Sequence, residues 1–167
     1  MSTAFDELVR RHQAQGLRIA HKYLGDLATA RDVVQAAFVE IYRALPRYQP
    51  RGLFPAYFQR VVLNRCHMVR RARRSADDLA DRHAAGLELL APASEELILA
   101  RERRAAVERA VRELRPKLRD VVVLRFAADL SYEEIARVLE LPVGTVKSRL
   151  FAGMERLREL LASEAAQ

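Results

Sequence analysis

The chain has 167 residues, half of them hydrophobic, and carries a formal net charge of +7. That length supports one mid-sized domain or two small ones with real cores, and the basic balance points to a polyanionic partner. No run of about 18 apolar residues is present to cross a membrane, MSTAFDELVRRHQ lacks the layout of a secretion signal, and the single cysteine, Cys66, excludes an internal disulfide framework and fits a reducing cytosol.

Three helices are predicted in the first half of the chain. The first, from Phe5 to Leu24, has Phe5, Leu8, Val9, Leu17, Ile19, Ala20 and Leu24 at helical spacing, with Gly16 inside it and Gly25 as its stop. The second runs from Ala28 to Leu45 on Val33, Val34, Ala37, Phe38 and Ile41, and ends before Pro46. The loop 46–52, PRYQPRG, leads to a third helix from about Leu53 to Ala72. Six arginines (60, 65, 70, 71, 73 and 74) and no acid lie between Arg60 and Arg74. Lysine occurs only at positions 22, 117 and 147, so the positive charge is nearly all guanidinium, which suits phosphates and base edges.

The sign of the charge flips near residue 75. Residues 75–96 hold six acids against one arginine, Arg82, together with Gly86 and Pro92. This stretch reads as a linker between a first domain, 1–74, and a second, 97–167. A helix starting near Ser94 and reaching about Leu114 follows. Pro116 then opens another helix, with Leu118, Val121, Val122 and Leu124 facing inward. No segment alternates with period two, so the expected fold is all-α: two small helical domains joined by a linker.

Leu130 to Leu160 reads as helix, tight turn, helix. Ser131 and Glu134 fit a capping box, and Ile135, Val138 and Leu139 supply an inward face. Pro142 fits a first helical turn, and Gly144 leaves room for a close helix crossing. Val146, Leu150 and Leu157 form one stripe. Thr145, Ser148, Arg149 and Ala152 form another, flanked by Lys147 and Phe151. Such a helix suits the DNA major groove, where hydroxyls bind phosphates or bases and arginine binds guanine bidentately. The plain alternative is an amphipathic hairpin with a solvated basic face. His12, His21, His67 and His83 have no metal spacing, Cys66 beside His67 lacks a third partner in sequence, and no phosphate-binding glycine loop occurs. No metal, cofactor or catalytic set is expected.

The order of parts resembles an extracytoplasmic-function (ECF) sigma factor of the sigma-70 family. The resemblance rests on ARDVVQAAFVEIYRAL (30–45), FPAYFQRVVLNRCHMVRR (54–71) and LRPKLRDVVVLRFAADLSYEEIARVLELPVGTVKSRL (114–150). It implies a cytoplasmic transcription initiation factor that binds core RNA polymerase through the β′ clamp and the β flap and directs it to promoter DNA. It implies that Asp32, Gln35 and Phe38 bind core polymerase, with Phe38 either an interface anchor or a core residue. It implies that Tyr48, Gln49, Tyr57, Arg60, Asn64, Arg65, Arg70 and Arg71 melt and read the −10 element. Tyr57 stands where the family commonly has tryptophan, and Met68 near a usual acid. The alternative for Tyr57 is a core aromatic. Thr145, Lys147, Ser148, Arg149 and Phe151 would read the −35 element, with Ala152 replacing a long basic residue.

The resemblance also implies an anti-sigma partner, and with the chain ending at Gln167, soon after the recognition helix and without a sensory domain, control is expected to act in trans or through relative domain placement. The acidic linker would be a tether, or would thread the polymerase cleft. Two readings from other classes stand beside this one. A stand-alone helix-turn-helix regulator explains residues 130–160 but not the 32–38 face or the arginine run. A helical nucleic-acid enzyme would need a catalytic set that the sequence does not display.

Overall fold

The computed structural model describes residues 2–47, 53–77 and 95–165. Among these there are seven α-helices, one short 3₁₀ turn and no strand. The first domain is a three-helix unit. Helix α1 (Ser2–Leu24) continues through Gly16, where a β-carbon would lie 2.6 Å from Phe58 Cζ, so the glycine admits the ring. The helix stops at Gly25, whose φ of +79° is the left-handed conformation glycine adopts without steric cost.

Helix α2 (Leu27–Ala44) begins at Asp26. The Asp26 carboxylate accepts from the backbone N–H of Ala28 at 3.3 Å and Thr29 at 3.0 Å, satisfying donors the first turn leaves free. A 3₁₀ turn, Leu45–Arg47, closes the helix. Helix α3 (Phe54–Asp77) extends beyond the expected end near Ala72, so the helix crosses residue 74 into the start of the acidic stretch. Ile19, Tyr23, Ala37, Ile41, Phe58 and Val62 fill the core between these helices. Phe38 belongs there too: its ring stacks on Phe58 with centroids 4.7 Å apart and meets Phe5 edge-on at 6.2 Å.

The second domain comprises α4 (Glu95–Glu113), α5 (Pro116–Ala127), α6 (Tyr132–Leu139) and α7 (Val143–Ala165). Pro116 opens α5 as its sequence position demands. The capping box of α6 is complete: Ser131 N donates to Glu134 Oε2 at 2.7 Å and Glu134 N donates to Ser131 Oγ at 3.2 Å. Glu140, at φ 54° and ψ 49°, turns the chain left-handed between α6 and α7. The expected role of Gly144 is corrected by the structure. Nothing lies within 4 Å of where its β-carbon would be, and the close crossing falls at Gly153, where a β-carbon would sit 2.9 Å from Val122 Cγ2. On α5 the inward set also differs, because Arg119 and Asp120 are buried while Leu118 is only half-buried.

The two domains pack against each other: α1 and α3 lie on α4, α5 and α6, and the buried residues of both form one continuous cluster. Gln59, 3 % exposed, donates to Gln15 at 2.8 Å, and Gln15 in turn donates across the interface to the carbonyl of Ala128 at 3.2 Å.

Candidate functional site

The outward face of α7 is sorted by its apolar stripe. Val146, Leu150 and Leu157 are buried against α5 and α6, which turns Lys147, Ser148, Phe151 and Ala152 to solvent, with Thr145 and Arg149 half-buried at the edges. Phe151 is 70 % exposed. Ser148 Oγ donates to the Thr145 carbonyl at 3.0 Å. Tyr132 at the start of α6 has Arg125 over its ring at 5.5 Å and Lys147 at 5.7 Å, so one ring supports two cations by cation–π attraction. The resulting surface presents hydroxyl, ammonium, guanidinium and one aromatic ring.

On α3 the residues anticipated for single-stranded DNA divide into two groups. Asn64 and Arg71 are exposed, and Arg65 is half-buried in an ion pair with Glu40 of α2 at 2.8 Å. Arg60 and Arg70 turn instead toward the second domain. Arg60 donates from Nε to the Val138 carbonyl at 2.8 Å and from Nη2 to the Arg137 carbonyl at 2.9 Å, and pairs with Glu140 at 2.7 Å. Arg70 reaches the Leu114 carbonyl at 3.5 Å. Tyr57 is half-buried and packs against the core. Tyr48 and Gln49 lie outside the described residues, as does linker segment 78–94.

Asp32 and Gln35 are exposed on α2 but point into different grooves. Asp32 lines a groove of about 320 Å³ between α2 and α3 with Thr29, Arg65 and Met68. Gln35 lines a larger apolar groove of about 680 Å³ between α1 and α2, whose floor includes Val34 and Phe38. Phe38 therefore serves the core and also presents an edge to that groove.

A polar cluster that sequence periodicity does not signal lies between the domains. His67 Nε2 is 2.9 Å from Asp120 Oδ1. Arg119, 2 % exposed, donates to the Tyr23 carbonyl at 3.4 Å and the Leu114 carbonyl at 3.3 Å, with its guanidinium 5.0 Å from the Tyr23 ring centroid. Burial and the charge of Arg70 lower the Arg119 guanidinium to about 10. Burial, reinforced by Asp120, pushes the Cys66 thiol up to about 12, so beside His67 it stays a protonated core group and not a nucleophile. Among the described residues no group of three or more His, Cys, Asp or Glu side chains could hold a metal ion, and no helix is long and apolar enough to cross a membrane.

Comparison with known proteins accounts for both halves of this arrangement. Residues 8–76 match the family model for sigma-70 region 2, and residues 104–157 match that for sigma-70 region 4. The chain is 34 % identical over 168 residues to the RNA polymerase sigma-H factor of Pseudomonas aeruginosa, covering 95 % of this chain and 86 % of that protein. It is 34 % identical over 164 residues to the ECF RNA polymerase sigma-E factor of Escherichia coli K12, covering 92 % and 84 %. Among solved structures it resembles CnrH in complex with the cytosolic domain of CnrY, with a TM-score of 0.72, 29 % identity, and coverage of 98 % of this chain and 90 % of that one. The chain belongs to the ECF group of the sigma-70 family, the initiation factors that direct RNA polymerase to promoters.

Proposed function

We propose that the two domains divide promoter reading between them, with residues 1–74 serving core polymerase and the −10 element, 75–96 acting as a tether, and 97–167 serving the −35 element. The observation that carries this reading is the sorting of α7, where one stripe is buried and Lys147, Ser148 and Phe151 face solvent. Thr145, Lys147, Ser148, Arg149 and Phe151 contact the −35 duplex. Arg149 reads a base edge and Lys147 neutralises a phosphate. The −10 strand is met by Tyr48, Gln49, Tyr57, Arg60, Asn64, Arg65, Arg70 and Arg71, where aromatic faces stack bases and guanidinium groups follow the backbone.

Asp32 and Gln35 meet the β′ clamp on the exposed side of α2, and Phe38 contributes the ring edge at the floor of the α1–α2 groove. In the second domain the apolar groove of about 400 Å³ lined by Val107, Val111, Val122, Val123 and Phe126 takes the β flap. Catalysis is left to the polymerase, and the protein works in the cytoplasm. An anti-sigma partner is supported by the likeness to CnrH, solved with the cytosolic domain of CnrY.

The test is equilibrium binding of the reconstituted holoenzyme to two probes, a −35 duplex and a −10 fork junction. Replacing Lys147 or Arg149 weakens the first selectively, and replacing Asn64 or Arg71 the second. Equal losses on both probes from every variant would sink the division of labour.

A further inference from the structure

Two guanidinium groups from different helices crowd the C-terminal end of α4. Arg119 of α5 and Arg70 of α3 both donate from Nη2 to a single oxygen, the Leu114 carbonyl, at 3.3 Å and 3.5 Å. Arg119 makes one further contact, from Nη1 to the Tyr23 carbonyl at 3.4 Å. All three distances are long for guanidinium donors, which approach an anionic oxygen to about 2.7–2.9 Å. Arg119 Nε and Arg70 Nη1 are buried and have no hydrogen-bond partner among the described residues. The Tyr23 hydroxyl, kept protonated by burial and by the charge of Asp120, is a third buried donor in the same condition. Arg119 is 2 % exposed, so bulk water does not serve it. Buried donors left unmet are costly, and charged ones more so.

Charge decides which acceptor suits these donors. Among the described residues neither guanidinium has an ion-pair partner, because the carboxylate of the cluster, Asp120, lies 2.9 Å from His67 instead. The end of α4 contributes roughly half a negative charge. Arg74 adds to the positive field, and the crowding shows in Arg119, which burial, then Arg70 and Arg74, bring down to about 10. A bound water would meet the donors and leave the positive excess in place, whereas an anion meets the donors and offsets the charge. We propose that Arg70, Arg119 and Tyr23 together hold one small inorganic anion of halide size, with chloride as the ion available in a cell. The enclosure of the donor atoms favours a monatomic ion, and the ion relieves the repulsion between the two guanidinium groups where α1, α3 and α5 meet the end of α4. The site is independent of any role for Arg70 on the −10 strand.

The test uses the full chain in sodium glutamate, with glutamate replaced stepwise by chloride or bromide at constant ionic strength. The thermal midpoint is followed in solution, and crystals grown in bromide are measured at the bromine absorption edge. The midpoint of the wild type should rise with either halide and level off. The total shift should be about 3–5 °C once the halide reaches about ten times its dissociation constant. Arg119→Met and Arg70→Gln should each abolish the saturating rise. Arg70 is only half-buried, so Arg70→Gln keeps the test decisive if Arg119→Met does not fold. In the crystal the bromine peak should touch Arg119 Nε and Arg70 Nη1. No rise, a rise that never saturates, or one that persists in Arg70→Gln would each mark a general salt effect and overturn the site. So would a water or a side-chain oxygen seated on these donors in place of bromine. A bromine peak without the solution response, which is binding at crystal concentration only, overturns it as well.

Discussion

Arg60 Nε lies 2.8 Å from the carbonyl oxygen of Val138, so a side chain of the first domain satisfies the C-terminal end of the first helix in the helix-turn-helix. The last carbonyls of a helix have no partner within it, and a guanidinium there meets both the free acceptors and the negative end of the helix dipole. The turn that follows holds Glu140 in the left-handed region, and its carboxylate completes the Arg60 contact. The two reading surfaces are thus joined through the backbone that sets the angle between α6 and α7.

Two of the helical glycines, Gly16 and Gly144, predict opposite responses to alanine. At Gly16 the added carbon meets Phe58 Cζ at 2.6 Å, and Phe58 is itself fully buried, so the ring cannot yield cheaply. Gly16→Ala should destabilise the protein by about 1–3 kcal/mol through overpacking. At Gly144 nothing lies within 4 Å, and alanine should add up to about 1 kcal/mol from helix propensity. Denaturant midpoints of the two variants check both signs.

Phe38 and Gln35 separate folding from partner binding. Phe38→Ala removes a ring stacked at 4.7 Å on Phe58 and should cost about 3–5 kcal/mol of stability. Gln35→Ala removes an exposed amide and should leave the thermal midpoint unchanged while weakening core polymerase binding. A thermal melt paired with a core-binding titration distinguishes the two.

On α7 the contacts differ in kind. Arg149→Ala should cost about 1–3 kcal/mol on the preferred −35 sequence and little on others, so specificity falls at one position. Lys147→Ala should weaken all duplexes alike and reduce the salt slope by about 1. Ala152→Arg should raise duplex affinity, because the small residue leaves an exposed site on the reading face. Binding isotherms over a series of salt concentrations and single-base variants measure these effects.

Acid should destabilise the protein in two stages. His12 packs against both Phe54 and Phe58, and burial, with Arg11 assisting, holds it below its ordinary 6.5. A lowered folded value means the unfolded chain binds the proton more readily, so this contribution is present above 6.5 and lost as pH falls through the folded value. Asp26 is lowered from 3.8 by the Thr29 hydroxyl and the N–H groups of Thr29 and Ala28. For Glu108, burial pushes upward, but the hydrogen bond and charge of Lys22 outweigh it and leave the group below 4.5. These two carboxylates stabilise above their ordinary values and stop doing so as pH drops through their lower folded ones. Thermal midpoints across pH should show the first loss disappear in His12→Gln and the second shrink in Asp26→Asn.

Much of the local structure is legible in the sequence because local rules set it. The capping box at Ser131 and Glu134, Pro116 at a helix start and Gly25 past a helix end each have one dominant local cause. The apolar spacing likewise predicts which face of α7 is buried. Legibility fails where long-range contacts decide. Gly144 and Gly153 look alike in sequence, and only the approach of α5 gives the second its role. Arg119 and Asp120 sit in a run that reads as an ordinary amphipathic turn, yet both are enclosed when the domains meet. Contacts such as Arg60 to Val138 end on backbone carbonyls, which every residue possesses and no motif records.

Promoter direction is tested most directly by run-off transcription with purified core polymerase on a template carrying a promoter first mapped by overexpressing the chain. Transcripts should start at that promoter only when the chain is present. They should fall sharply when either the −35 or the −10 element is altered, with Arg149→Ala reproducing the first loss and Arg71→Ala the second. A chain that binds duplex DNA through α7 but neither binds core polymerase nor directs initiation would contradict this division of promoter reading and identify a stand-alone helix-turn-helix regulator.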